Sequence, residues 1–477
     1  MTHPEKTHPE NTLDPPADLA VPQSVPRHRW RPFAVRLHFY AGVLVAPLLV
    51  VAAVTGGLYA LAPTVERFVY RDLLFVDGRG PMLPLGDQSA AARAAFPGLA
   101  LAGMRPAPSP GESTRVYLTD PALGEELRRA VFVDPHTGIV LGDEPTWLGY
   151  LPFSTWLDGL HRHLNLGEPG RIYSELAASW LWVVALGGLC LWVAKAAGDR
   201  RRGRAGRILT VDRGAGGRAR TLNRHGAIGV WLLAGLLFLS ATGITWSTYA
   251  GAHVSDLRSA MNWQRPQLDS ALAGTDAHSG HDAAGGGDAA PGSVDYDAVL
   301  DAAEGAGVQL PVEISVPGEP GQAVTVTELD HPYRWTTDAA AVDPADGTVV
   351  ATLDYWRDYS PMAKLADWGI RAHMGFLFGM LNQLLLLGIA VGLLTLIAHG
   401  YRMWWQRRPL RGSRRAVGRA PARGALKSLP RLAVAGIAAA AVAVGWFLPL
   451  LGVTLAAFLI IDVIVGSINH RKAESRV

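Results

Sequence analysis

The residues of this chain best suited to chemistry are histidines set at matching positions in apolar runs. RLHFYAGVLVAPLLVVAAVTGG begins at Arg36 and NRHGAIGVWLLAGLLFLSATGI begins at Asn223. A shift of 187 lays His38 on His225, Gly42 on Gly229 and Thr55-Gly56 on Thr242-Gly243. A second pair appears at a shift of 212, where LHRHLNLG supplies His161 and Gly167, and AHMGFLFG supplies His373 and Gly379. Polar groups at membrane depth are costly and usually functional. Two neutral imidazoles opposed across a helical bundle are the donor set of six-coordinate haem iron. Zinc would ask for three or four ligands, with cysteine or carboxylate among them. Here the neighbours are apolar and aromatic: Phe39, Tyr40, Trp231, Phe376 and Phe378. Gly42, Gly229, Gly375 and Gly379 would let a flat macrocycle come close to the backbone.

Two further histidines have no mate in the repeat. His163 lies two residues from His161 and points elsewhere on a helix; His399 stands at the far end of the run that starts at His373. Each is a candidate to replace or supplement a member of the two pairs. His278 and His281, in the tract GTDAHSGHDAAGGGDAAPG, read as solvated residues of a flexible insertion. The plain alternative for all of them is an interfacial residue or helix cap. That explanation suits a lone histidine better than two pairs in register.

The elements that must position these side chains are apolar spans. Four are long enough to cross about 30 Å of hydrocarbon: Leu37–Ala62, Ile172–Ala197, His225–Tyr249 and His373–Trp405. Two weaker ones, Leu432–Phe447 and Leu450–Ile468, flank Pro449 and read as a terminal hairpin. Arginines cluster before the first span (Arg27, Arg29, Arg31, Arg36), between the second and third (Arg200 to Arg224) and after the fourth (Arg407 to Arg419). The positive-inside rule places these clusters on the cytoplasmic side, with both termini, and the two long intervening stretches outside. Those stretches also repeat: VFVDPHTGIVLGD and AAVDPADGTVVAT share Asp-Pro and a glycine at Asp134/Asp343 and Gly138/Gly347, and each reads as a β-hairpin. Trp192, Trp404, Trp405 and Tyr401 read as an interface belt, and Gly56, Gly188 and Gly243 as helix-packing residues.

Composition narrows the class. Of 477 residues 49% are hydrophobic and 18% charged, which suits helices in lipid joined to polar domains. A net charge of +3 gives no reason to expect nucleic acid as a partner. The single cysteine, Cys190, excludes a disulfide framework and a cysteine-built metal site. The first 26 residues read as a disordered tail, and the first apolar run as a retained anchor rather than a cleaved signal.

Four motifs in order carry a resemblance: the LHF-x-x-G start with a distant T-G, the V-D-P-x-x-G hairpin, the LHR-x-L-x-x-G leader and the GYRMWWQRRP exit. Over about residues 30 to 410 the chain resembles the PepSY-associated transmembrane helix family. The resemblance implies an α-helical membrane protein in which a duplicated helix–PepSY domain–helix repeat forms a four-helix core. It also implies small α+β extracytoplasmic PepSY domains, to which this chain adds a C-terminal two-helix hairpin. The divisions expected are a disordered cytoplasmic N-terminus (1–33), a first span (34–62), PepSY domain 1 (63–160), a leader and second span (161–197) and a basic loop (198–223). A third span (224–249), PepSY domain 2 with its insertion (250–370), a fourth span (371–405), a second basic loop (406–431), the hairpin (432–468) and a tail (469–477) follow.

Members of that family are often tied to iron uptake, and some reduce ferric siderophores through b-type haem. Carried over, this implies two haem b groups held by His38, His225, His161 and His373. The partner is then a ferric siderophore or other ferric chelate outside a multi-pass protein of the cytoplasmic membrane. No dinucleotide fingerprint is visible, so the electron donor is external, a quinol or a reductase. Two rivals follow from the same sequence: PepSY domains anchored by the helices to bind an envelope protein, and a metal or siderophore permease. The permease reading lacks the buried acids of a proton-coupled carrier, with only Asp462 as a candidate.

Overall fold

The structure is a computed structural model that describes residues 30–272, 294–407, 421 and 430–474. The tract holding His278 and His281, and the whole basic stretch from Arg408 to Arg419, lie outside the described residues.

The first apolar run folds as two helices, α1 (Arg31–Leu44) and α2 (Ala46–Ala60), bent by 55° at Val45. The cause of the bend is local. Pro47 has no N–H to bond the carbonyl four residues earlier, and its ring crowds that carbonyl. The carbonyl is Val43 O, and it accepts the Tyr401 hydroxyl at 3.0 Å instead. At the mate position stands Ala234, and that helix runs unbroken. The expected span Leu37–Ala62 is therefore built from a bent pair of helices.

After α3 (Ala62–Val69) and α4 (Arg71–Leu74) the chain enters a domain of α5 (Leu85–Ala95) and strands β1 (Ala100–Arg105), β2 (Thr114–Thr119), β3 (Arg128–Val133) and β4 (Val140–Thr146). It returns through α6 (Pro152–His163) to α7 (Glu168–Arg201), then α8 (Gly217–Thr245) and α9 (Tyr249–Ala260). A second domain holds α10 (Tyr296–Gly305), β5 (Val312–Ser315), β6 (Val324–Glu328), β7 (Ala339–Val342) and β8 (Val349–Leu353). Then follow α11 (Tyr355–Asp358), α12 (Pro361–Met374), α13 (Gly379–Trp405), α14 (Arg431–Phe447) and α15 (Pro449–Glu474).

Both Asp-Pro-x-x-Gly segments form the expected hairpin turns. Gly138 N–H bonds Asp134 O and Gly347 N–H bonds Asp343 O, each at 2.9 Å. The two glycines sit at φ +72° and +75°, a region that favours residues without a Cβ. The domains are not separate, however. All eight strands make one antiparallel sheet in the order β4-β3-β2-β1-β5-β6-β7-β8. The seam is β1 against β5, where Gly103 faces Ser315 and Met104 faces Ile314. A Cβ on Gly103 would stand 2.4 Å from Ile314 O, so the close approach requires glycine. Arg105 ties the seam to Glu313 at 2.7 Å.

Strand alternation divides the core by face. Val116, Leu118, Val131 and Val133 pack with Ala92 of α5. Tyr117, Ala130 and Phe132 pack on the opposite face with Leu74 and Leu151, at the turn into the bundle.

Among the described residues three helices are long and apolar enough to cross a membrane, α7, α8 and α13; the bent α1–α2 pair makes a fourth crossing when counted as one span. They enclose a core of Leu49, Ala177, Trp180, Leu181, Leu236 and Ile389. The fourth span starts at Gly379 rather than at residue 371. Gly375 (φ +89°) closes α12, and the N–H of Tyr333, from the domain, bonds Leu377 O at 2.8 Å in the turn. α6 likewise ends at Leu164 and Asn165, both left-handed. α14 and the apolar part of α15 are shorter than the core spans; the hairpin docks through Trp180 Nε1, which donates to Thr454 Oγ1 at 2.9 Å.

Candidate cofactor sites

Each of the four repeated histidines is brought against its mate. The ring centroids of His38 and His225 lie 6.4 Å apart, and those of His161 and His373 lie 6.3 Å apart. The first two stand on α1 and α8 and the second two near the ends of α6 and α12. Proline at the start of α6 and of α12 suits the first helical turn, and the left-handed residues stop both helices just beyond the histidine. Arg371, two residues before His373 and 4% exposed, anchors α12 to the domain: it reaches Asp330 at 2.6 Å and donates to Arg334 O at 2.7 Å.

Hydrogen bonds decide which ring nitrogen is available. His38 Nδ1 lies 3.1 Å from Val184 O, and His225 Nδ1 lies 3.0 Å from Leu396 O. A carbonyl only accepts, so both Nδ1 atoms carry the proton. His161 Nδ1 meets Thr55 Oγ1 at 3.0 Å, and His373 Nδ1 meets Thr242 Oγ1 at 2.5 Å. Each threonine gives its own proton to its helix, to Val51 O and Phe238 O, both at 2.8 Å. The hydroxyl then accepts from the imidazole. All four rings carry hydrogen on Nδ1 and an unshared pair on Nε2, the orientation that second-shell bonds impose on metal-ligating histidine. Each partner recurs at the shift of its own helix: 212 for Val184 with Leu396, and 187 for Thr55 with Thr242 and Val51 with Phe238.

The glycines read as helix-packing residues lie against these rings. A Cβ on Gly56 would stand 2.8 Å from His161 Cε1, and one on Gly188 would stand 3.0 Å from His38 Cε1. Their mates are roomier, with Gly243 at 3.9 Å from His373 Cε1 and Gly400 at 3.8 Å from His225 Cε1. Gly42 and Gly229 line the cavity at the first pair, whereas Gly375 and Gly379 serve turns at φ +89° and +55°. Trp192, expected in an interface belt, is 5% exposed and donates Nε1 to Ile208 O at 2.9 Å. Only Trp405 of the belt candidates is well exposed, at 64%.

Two cavities surround the pairs. One, about 1430 Å³ with its open side, is lined by His161 and His373 on the sheet side of the bundle. The other, about 1720 Å³, is lined by His38 and His225 on the arginine-rich side. His163 and His399 line neither. His399 bonds its own helix, Nδ1 to Thr395 O at 2.7 Å, and His163 keeps a buried Nδ1 with no partner.

The fit to a six-coordinate metal between two imidazoles can be judged from the spacing. Bonds of about 2 Å on either side separate the two nitrogens by about 4 Å and the ring centres by about 6 Å, close to the separations of both pairs. Among the described residues no group of three His, Cys, Asp or Glu side chains could hold a metal, so a zinc-type cage is not what these pairs build. The donor set, the available Nε2 atoms and the glycines beside the rings fit haem.

The sheet-side cavity has charged lining on one flank only. Asp158, Arg162, Arg171 and Glu175 come from α6 and α7, and their mates on α12 and α13 are Ile370, Met374, Gln383 and Leu387. Asp158 and Arg162 pair at 3.4 Å; Glu175 accepts the N–H groups of Tyr249 and Ala250 and, 2% exposed within the second span, is a buried acid that the expectation of Asp462 alone leaves out. Arg162 and Arg171 also line a third cavity under the sheet, with Tyr117, Arg128, Trp147 and Glu313.

A helical bundle with an antiparallel sheet at one end and paired histidines in two core cavities defines a class of multi-helix membrane protein with inward-facing histidine pairs. The chain belongs to the family described as the PepSY-associated TM region, whose model matches residues 35–407. No match is found among curated proteins.

Proposed function

We propose that the chain is a duplicated transmembrane electron-transfer protein that holds two haem b groups and reduces a ferric siderophore or other ferric chelate on the sheet side. In this reading it is a multi-pass protein of the cytoplasmic membrane, with both termini cytoplasmic and the sheet formed by two PepSY modules outside. The observation that carries the proposal is that both histidine pairs stand at ligand spacing with every Nδ1 committed to an acceptor.

Held by His38 and His225 or by His161 and His373, haem would supply a one-electron Fe(III)/Fe(II) couple. The protein's own groups do the rest. Val184 and Leu396 carbonyls and Thr55 and Thr242 hydroxyls fix the imidazole tautomers. Glycines 56, 188, 243 and 400 keep the rings uncrowded. Arg162 and Arg171 connect the sheet-side cavity to the polar cavity under the sheet, which is where an acceptor chelate would dock. One electron from an external quinol or reductase converts substrate Fe(III) to Fe(II), which hard oxygen donors hold less tightly.

The test is single-turnover. Protein reduced with dithionite, freed of excess reductant and mixed with a ferric hydroxamate or catecholate should reoxidise, while a ferrous-specific dye gains the matching iron. Reduced protein that stays reduced, with no ferrous iron trapped from any ferric chelate, would overturn the substrate assignment.

A further inference from the structure

The two cavities meet at four side chains. Leu49 on α2, Leu181 on α7, Leu236 on α8 and Leu393 on α13 line both, and among the described residues no other side chain does. Each core helix contributes one. Leu236 follows Leu49 by 187 and Leu393 follows Leu181 by 212, the shifts of the histidine pairs. Leu49, Leu181 and Leu236 are buried, and Leu393 packs on the same cluster from the middle of α13. On either side of this layer the linings stay mostly apolar but carry charged groups. Asp158, Arg162, Arg171 and Glu175 lie toward the sheet, and Arg31, Lys195, Arg218 and Arg407 lie toward the arginine-rich side.

Two cavities with charged linings, placed end to end in a membrane bundle, would join into a water path without something apolar between them. We propose that Leu49, Leu181, Leu236 and Leu393 form a water- and proton-tight partition between the two cavities. An apolar constriction excludes water by dewetting, and an ion crossing it forfeits its hydration. Electrons need no such water, so the layer separates charge carriers while leaving the two histidine pairs in neighbouring compartments. The inference depends on the bundle crossing a membrane and not on what the histidines hold.

Proton flux decides it. Full-length protein is reconstituted into vesicles with an internal pH dye, and a potassium diffusion potential is imposed. Wild type should be as tight as protein-free vesicles. The paired variant Leu49→Asn/Leu236→Asn should raise the flux by at least about tenfold, and Leu49→Met/Leu236→Met should leave it unchanged. Leu393→Asn, at a half-buried position, is the second polar variant if the pair does not elute as a single species. A conducting wild type overturns the partition, as does a folded asparagine variant as tight as wild type.

Discussion

His161 Nδ1 stands 3.0 Å from the hydroxyl of Thr55, a residue 106 positions earlier whose own proton goes to Val51 O. The same relation links His373 to Thr242. A threonine whose proton is already donated is an obligate acceptor, so it sets the imidazole tautomer. Thr55→Val keeps the shape and removes that acceptor. We expect haem affinity at the sheet-side pair to fall by about 10–100-fold, with the absorption and midpoint potential of the other site unchanged. Titration of apoprotein with haem and a redox titration check this; an unaltered sheet-side site would sever the threonine from the ligand geometry.

The four ring-facing glycines should behave in two groups. Ala at Gly56 or Gly188 brings a methyl to 2.8 or 3.0 Å of a ring carbon, an overpacking that costs about 1–3 kcal/mol. Gly243 and Gly400 have ordinary contact distance at 3.9 and 3.8 Å, and alanine there gains about 0.5–1 kcal/mol of helix propensity. Thermal unfolding followed by fluorescence should put the first two variants below wild type and the second two level with it or above.

The bend at Val45 gives a double-mutant test. Tyr401→Phe removes the only hydrogen bond recorded to Val43 O among the described residues and should cost about 0.6–1.7 kcal/mol. Pro47→Ala restores an N–H that can bond that carbonyl within the helix. On that background Tyr401→Phe should cost measurably less, a non-additivity read from the two melting shifts.

Acid should loosen the sheet domain through Asp120. The hydrogen bond from Arg129, which also reaches Asp143, holds the Asp120 carboxyl below its ordinary range. A carboxylate whose folded pKa is depressed adds stability above its unfolded pKa, about 3.9, and that stability is lost as pH falls through the folded value. Asp120→Asn should therefore lower the melting temperature at pH 7 and flatten its decline below about pH 4, as calorimetry across pH would show.

Much of this arrangement was legible in residue order because duplication left it there. His38 on His225 and His161 on His373 are visible without coordinates, and each pair is in ring contact. The Thr-Gly repeat was equally visible, but its role was not: helix-packing glycine and ring-facing glycine share one sequence pattern, and which ring arrives depends on a helix some hundred residues away. Val184 and Leu396 contribute backbone carbonyls, which no residue type announces. The bend was written in Pro47, yet an apolar run that long reads as one span. Fusion of the two hairpin domains into one sheet rests on β1 and β5 pairing over two positions, a contact too brief for any pattern to mark.

The most direct test of the central claim is haem content by pyridine haemochrome, with a reduced-minus-oxidised spectrum, on wild type and single histidine-to-alanine variants. Two b-type haems per chain are predicted for wild type. One should be lost in His38→Ala or His225→Ala, the other in His161→Ala or His373→Ala, and none in His163→Ala or His399→Ala. Purified wild type with no haem band, or one that dithionite leaves unchanged, would contradict the account.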